Sequence, residues 1–88
     1  MNPTFEQLKN HVTRAVYSMP FADRMVMDVV LKPQSFQIHL VPKLPYGYTS
    51  DLMRRLSSIR GIVISGMDTT PAEIVIRGHV DQKIVNRS

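Results

Sequence analysis

The 88-residue sequence contains no cysteine. This absence excludes disulfide bonds and zinc sites with thiolate ligands, so the burial of apolar side chains must stabilise the fold. No apolar run approaches the ~20 residues that cross a membrane, and the first residues lack the basic-then-apolar pattern of a signal peptide. We therefore expect a soluble, cytoplasmic protein that has no membrane partner.

Residues arranged for catalysis are also absent. The sequence shows no glycine-rich phosphate loop, no paired carboxylates, no cluster of metal ligands and no set of nucleophile, base and acid at a readable spacing. We therefore expect a protein that is not an enzyme, uses no cofactor or metal ion, and has no small-molecule substrate. Binding to another macromolecule is the class of function left to consider.

The composition indicates one folded domain with a moderate positive charge. Apolar residues make up 43% of the chain and charged residues only 20%, which is typical of a globular protein. We assign residues 1–80 to a single domain and residues 81–88 to a C-terminal tail, whose order the pattern leaves open. Eleven basic and seven acidic residues give a net charge of +4, which favours polyanionic partners or serves solubility alone.

The spacing of apolar residues predicts two amphipathic helices. The first covers about residues 4–17, with Asn2 or Thr4 as its cap. The second lies within residues 45–61, where Ser50 can cap the first turn. The apolar faces are Phe5, Leu8, Val12, Ala15 and Val16 in the first helix and Leu52, Met53, Leu56 and Ile59 in the second.

Alternating side chains predict four strands in two hairpins. The first hairpin turns at residues 33–35, and the second at residues 66–71, which are rich in turn formers. Since each helix and each hairpin has one apolar face, we expect an α+β two-layer sandwich of order α-β-β-α-β-β. Two helices would cover one face of a four-stranded, mainly antiparallel sheet. The side chains expected to face the helices are Met27, Val29, Leu31, Phe36, Ile38, Leu40, Ile62, Ile64, Ile74 and Ile76.

The other face of this sheet would carry valines within a polar frame. Such a surface suits contact with another copy or a partner, although strand propensity alone also explains valine there. The tyrosines before the second helix offer a further contact site. The residues predicted to bind a partner are Val26, Val30, His39, Val41, Val63, Val75, Tyr46 and Tyr48.

One polar pair on this face is a candidate for a chemical role. A two-residue turn at residues 33 and 34 would place Asp28 opposite His39. Because no nucleophile or third ligand accompanies the pair, we favour a structural role for it.

These features favour a small non-catalytic interaction or assembly protein that binds itself, as a homo-oligomer, or another protein. The alternative is a basic domain that binds DNA or RNA through phosphate contacts, with Tyr46 and Tyr48 stacking on bases. The absence of aromatic residues on the predicted open sheet face counts against base stacking there. The basic residues of the alternative site are Lys43, Arg54, Arg55, Arg60 and Arg77.

Overall fold

A computed structural model describes residues 3–85 as three helices packed on one four-stranded sheet. The elements are α1 (Phe5–Tyr17), α2 (Ala22–Met25), β1 (Val26–Leu31), β2 (Ser35–Leu40), α3 (Tyr48–Ser57), β3 (Ile62–Thr69) and β4 (Ile74–Val80). The predicted α+β sandwich with two helix-and-hairpin halves is confirmed. The short helix α2, which joins α1 to β1, is an addition to the predicted order.

The two long helices begin in different ways. The Thr4 hydroxyl accepts the backbone N–H of Gln7, and the Gln7 side chain accepts the N–H of Thr4 in return, so a capping box starts α1. Asn2, the other predicted cap, lies outside the described residues. The prediction that Ser50 caps the second helix is wrong. Gly47, with φ of 80°, precedes Tyr48 and starts α3 earlier, because glycine adopts this left-handed conformation without a steric cost.

The sheet has the order β1-β2-β4-β3, and all neighbouring strands are antiparallel. Because β2 and β3 both pair with β4, they run parallel to each other with β4 between them. Moving β4 ahead of α1 would give the β-α-β-β-α-β order of ferredoxin-like sheets. The relation concerns topology alone and carries no function.

The core lies between the two long helices and one face of the sheet. Helix α1 packs beside α3, and the two helices lie against β1 and β3 respectively. The fully buried side chains include Leu8, Val12 and Val16 of α1, Leu52 and Leu56 of α3, and Phe36, Ile38, Leu40 and Ile76 of the sheet. The predicted apolar stripes of both helices therefore provide the core.

Gly78 allows a close approach inside this core. It lies opposite Phe36 in the β2–β4 ladder. A Cβ atom at Gly78 would lie 2.2 Å from Cε1 of Phe36 and 2.3 Å from the carbonyl oxygen of Val63. The absence of a side chain at this position therefore makes room for the Phe36 ring.

A β-bulge reverses the prediction for the start of β1. Val26 pairs with Leu40, but the next pair joins Asp28 to His39, so Met27 is the extra residue. Val26 is consequently buried with the core, whereas Met27 is 56% exposed. The predictions that Val26 faces outwards and Met27 inwards are both wrong, because a bulge shifts the alternation by one residue.

A second bulge extends β3 beyond its predicted end. The pairing shifts between Ile64 and Gly66, after which the strand continues to Thr69. The predicted turn at residues 66–71 is therefore wrong for its first part. The turn follows Thr69 instead, where the Thr70 hydroxyl accepts the backbone N–H groups of Ala72 and Glu73.

The residues after β4 pack against the domain as far as the structure describes them. Val85 is buried, and it lies beside Gly61, where a Cβ atom would be 3.0 Å from Cγ2 of Val85. The side-chain amide of Gln82 donates to the Pro33 carbonyl at 2.6 Å. Residues 86–88 of the predicted tail lie outside the described residues.

Candidate interaction surface

The surface opposite the helices, here called the open face, carries outward-pointing side chains from all four strands. Paired residues of neighbouring strands point to the same side of a sheet, so the strand register defines rows across it. From one end of the strands to the other, the rows are Asp28, His39, Val75 and Asp68; then Val30, Gln37, Arg77 and Gly66; then Lys32, Ser35, His79 and Val63. We call the first the acidic row, the second the central row and the third the lysine row.

Three of the predicted valines lie on the open face. Val30 and Val75 are half-buried, and Val63 is 39% exposed. Val41 follows β2 and is also half-buried, with its N–H donating to the Met25 carbonyl at 2.9 Å. Val26 is the exception among the predicted valines, since the bulge in β1 turns it into the core. Val30, Val63 and Val75 lie on three different strands and in three different rows of the open face.

The polar side chains of the open face pair with one another. Nδ1 of His39 lies 2.5 Å from Oε1 of Glu73, and its Nε2 lies 3.1 Å from the Gln37 side-chain oxygen. Nε of Arg77 donates to the Asp68 carboxylate at 2.5 Å. The charged groups at the centre of the face are therefore paired within their own chain.

The first hairpin has the register of a two-residue turn, but the side chains of Asp28 and His39 bond to other groups. Asp28 lies opposite His39, as expected for a two-residue turn. The Asp28 carboxylate, however, accepts the backbone N–H of Val29 at 2.9 Å, and His39 contacts Glu73 instead. Glu73 was not a predicted site residue. Its position before β4, on the same alternation as Val75, is the signal that points to it.

The second pair of polar residues joins β3 to β4. Oγ of Ser65, the bulge residue of β3, lies 3.2 Å from Nδ1 of His79. A serine beside a histidine suggests a nucleophile and its base. The structure describes no acidic side chain bonded to this histidine, so the pair lacks the third member that orients the base in a triad.

The two predicted tyrosines lie in different environments. Tyr46 is fully exposed, whereas Tyr48 is buried and its hydroxyl donates to the Pro20 carbonyl at 2.9 Å. Burial raises the pKa of the Tyr48 hydroxyl, and the nearby Arg55 partly offsets this effect. The prediction that Tyr48 offers a free contact surface is therefore wrong, because the ring fastens α3 to the connection between α1 and α2.

Large apolar side chains are exposed in β1, at the end of α1 and in the segments before α2 and α3. Tyr17, Phe21, Met27 and Tyr46 are each about half exposed or more. Phe21 has φ of 56°, a left-handed conformation that is unusual for an aromatic residue. The sequence pattern did not single out Tyr17, Phe21 or Met27 as surface residues, since loop conformation and the bulge decide their exposure.

The arginines of the alternative site lie on opposite sides of the sheet. Arg54 and Arg55 belong to α3, which covers the inner face, whereas Arg77 lies on the open face. Arg54 lies 3.6 Å from the Asp51 carboxylate, and Arg55 donates to the Ser18 hydroxyl at 2.9 Å. Arg55 is thus tied to the end of α1, whereas the Arg54 side chain stays largely exposed.

The other two residues of that site lie at opposite ends of α3. Lys43 precedes the helix and Arg60 follows it. A helix of ten residues is about 15 Å long, so the two are well separated. The five predicted basic residues therefore do not form one continuous surface.

Two searches of the described residues bear on other kinds of site. No group of three histidine, aspartate or glutamate side chains within residues 3–85 is arranged to hold a metal ion. In the same range, every helix is too short or too polar to cross a bilayer. The cytoplasmic location stays a prediction.

Comparisons with protein-family models, with curated proteins and with solved structures found no match to this chain. Its function must therefore be inferred from its own surface.

Proposed function

We propose that the protein is a small, non-catalytic assembly protein that associates with itself through the open face. The observation that supports this is the uneven covering of the sheet: helices bury one face, while Val30, Val63 and Val75 lie on the other. The solvated face of an antiparallel sheet is mostly polar, so apolar side chains there are typical of a contact surface. Burying these side chains against a second copy would gain about 25 cal/mol for each Å² of apolar surface.

The polar groups of the open face are compatible with burial. Association removes water from charged side chains, which is costly when they lack partners. Here His39 already contacts Glu73, and Arg77 already contacts Asp68. A second copy would therefore not need to supply a partner for each of these groups.

The same face supports nucleic-acid binding less well. It carries three acidic side chains, Asp28, Asp68 and Glu73, and two basic ones, Lys32 and Arg77. This balance of charge would not attract a phosphate backbone. None of its described side chains is Phe, Tyr or Trp, so the large rings on which bases commonly stack are missing there. Self-association therefore ranks above the nucleic-acid alternative.

Light scattering on a sizing column tests the proposal directly. The protein, freed of nucleic acid, should have the mass of a dimer or larger species at low and at moderate salt. Val30→Glu or Val75→Glu should shift it to a smaller species, since a charge would be buried at the interface. Thr13→Glu, on the exposed side of α1, is the matched control and should leave the mass unchanged.

Two results would contradict self-association through this face. One is a wild-type protein that stays monomeric up to high concentration, or a monomer that copurifies with nucleic acid removable by salt. The other is an oligomer whose mass neither valine substitution changes, provided that circular dichroism shows both variants folded.

A further inference from the structure

We infer that two copies meet open face to open face about a twofold axis that crosses the strands, so that β1 of one copy stacks on β1 of the other. This inference rests on the proposed self-association and adds its orientation. The distribution of charge along the strands is the observation that supports this orientation.

Charge on the open face is separated along the strand direction. The acidic row holds Asp28 and Asp68, with Glu73 beside it through its contact with His39. The lysine row holds Lys32 and no acidic side chain. Asp28 and Lys32 are four residues apart on the same side of one strand, which is about 13 Å.

When two identical sheets pack face to face with their strands aligned, twofold symmetry allows two arrangements. If the axis runs along the strands, each acidic row lies over the other acidic row, and Asp28 of one copy approaches Asp68 of the second. If the axis crosses the strands, Asp28 of each copy lies over Lys32 of the other. Only the second arrangement places opposite charges over each other, Asp28 with Lys32 at two symmetric positions, so the charges select it.

The central row then lies on the axis, where each residue meets its own equivalent. Val30 would contact Val30 of the second copy, which places the half-buried valine at the centre of the β1 contact. Arg77 would approach Arg77 of the second copy. Each arginine brings its own counterion, since Asp68 lies 2.5 Å from its Nε, and this reduces the repulsion between the two.

Cross-linking through single cysteines tests the orientation, because the chain has no cysteine of its own. Facing sheets lie about 10 Å apart, within reach of a short bis-maleimide. In the inferred dimer Val30→Cys should cross-link to itself in high yield. With the axis along the strands, the same position would lie about 14 Å to the side, three strand spacings away, and should not react.

Two further cysteine variants separate the failure of this inference from the failure of self-association. Gln37→Cys lies in the central row on an inner strand, so it should cross-link in either arrangement. Val63→Cys lies far from its equivalent in both and should stay unlinked. Linkage of Gln37→Cys without Val30→Cys would overturn the inferred orientation alone. Linkage of neither would overturn face-to-face association as well.

An exchange of charges provides an independent test. Asp28→Lys and Lys32→Asp should each weaken the dimer at least about tenfold, since each places like charges opposite each other at two symmetric positions. The double variant restores opposite charges, so its dissociation constant should return to within about threefold of the wild type. A double variant as weak as the single ones would overturn the inferred contact.

Discussion

Gly78 shows how a single hydrogen atom in place of a side chain shapes the sheet. An added Cβ would meet the Phe36 ring at 2.2 Å and the Val63 carbonyl oxygen at 2.3 Å, and the second of these is backbone. We expect Gly78→Ala to lower the free energy of unfolding by about 2–3 kcal/mol, measured by urea denaturation.

Gly66 provides the control for this substitution. Its Cβ would meet only the end of the flexible Arg77 side chain, at 3.3 Å. Gly66→Ala should therefore change the stability by less than about 1 kcal/mol. Equal losses in the two variants would show that the contact between Gly78 and Phe36 is not what requires glycine.

The partly buried hydroxyl of Tyr48 predicts a dependence of stability on pH. Burial raises its pKa above the ordinary value of 10.0, so the folded state holds this proton more tightly than the unfolded state does. The resulting stabilisation is present at neutral pH and is lost as the pH rises above about 10. The wild type should therefore lose stability in this range more steeply than Tyr48→Phe does.

Tyr48→Phe also measures the hydrogen bond to the Pro20 carbonyl. At neutral pH the substitution should cost about 1 kcal/mol. Tyr17 and Tyr46 are present in both proteins, so the comparison isolates the effect of Tyr48. Parallel curves of stability against pH would refute the raised pKa of the Tyr48 hydroxyl.

At the scale of elements, the two long helices and β2 could be predicted because the spacing of their apolar residues allows one interpretation. The stripe of α1 is the buried side of the observed helix, and Phe36, Ile38 and Leu40 alternate with polar residues as they do in the structure. The start of α3 was missed, since Ser50 looks like a cap and the conformation of Gly47 is not readable from a list of residues.

The edge strands were harder because each contains a bulge. Val26 and Met27 are both apolar, so the sequence is consistent with either one facing the helices. Only the pairing of Val26 with Leu40 decides between them. The same bulge affects the prediction of the candidate site. Val30, His39, Val63 and Val75 lie on the open face as expected, whereas Val26 does not.

For the whole molecule, self-association predicts that thermal stability depends on protein concentration. Folded chains that bind one another are stabilised by mass action. Above the dissociation constant, a hundredfold increase in concentration should raise the Tm of the wild type by roughly 5 to 10 °C. Differential scanning calorimetry on Val75→Glu is the control, because its Tm should not respond. A wild-type Tm that is independent of concentration would contradict a dimer coupled to folding.

The two bulges have a consequence for how far assembly can proceed. β1 and β3 are the outer strands of the sheet, and each departs from regular pairing at one point, Met27 in β1 and Ser65 in β3. An irregular outer strand is a poor template for hydrogen bonding to a further strand. Growth of the sheet sideways into a filament is therefore disfavoured. The open face, in contrast, can be covered completely by one further copy. The proposed dimer would therefore have helices on both outer sides and no exposed sheet face for a third copy.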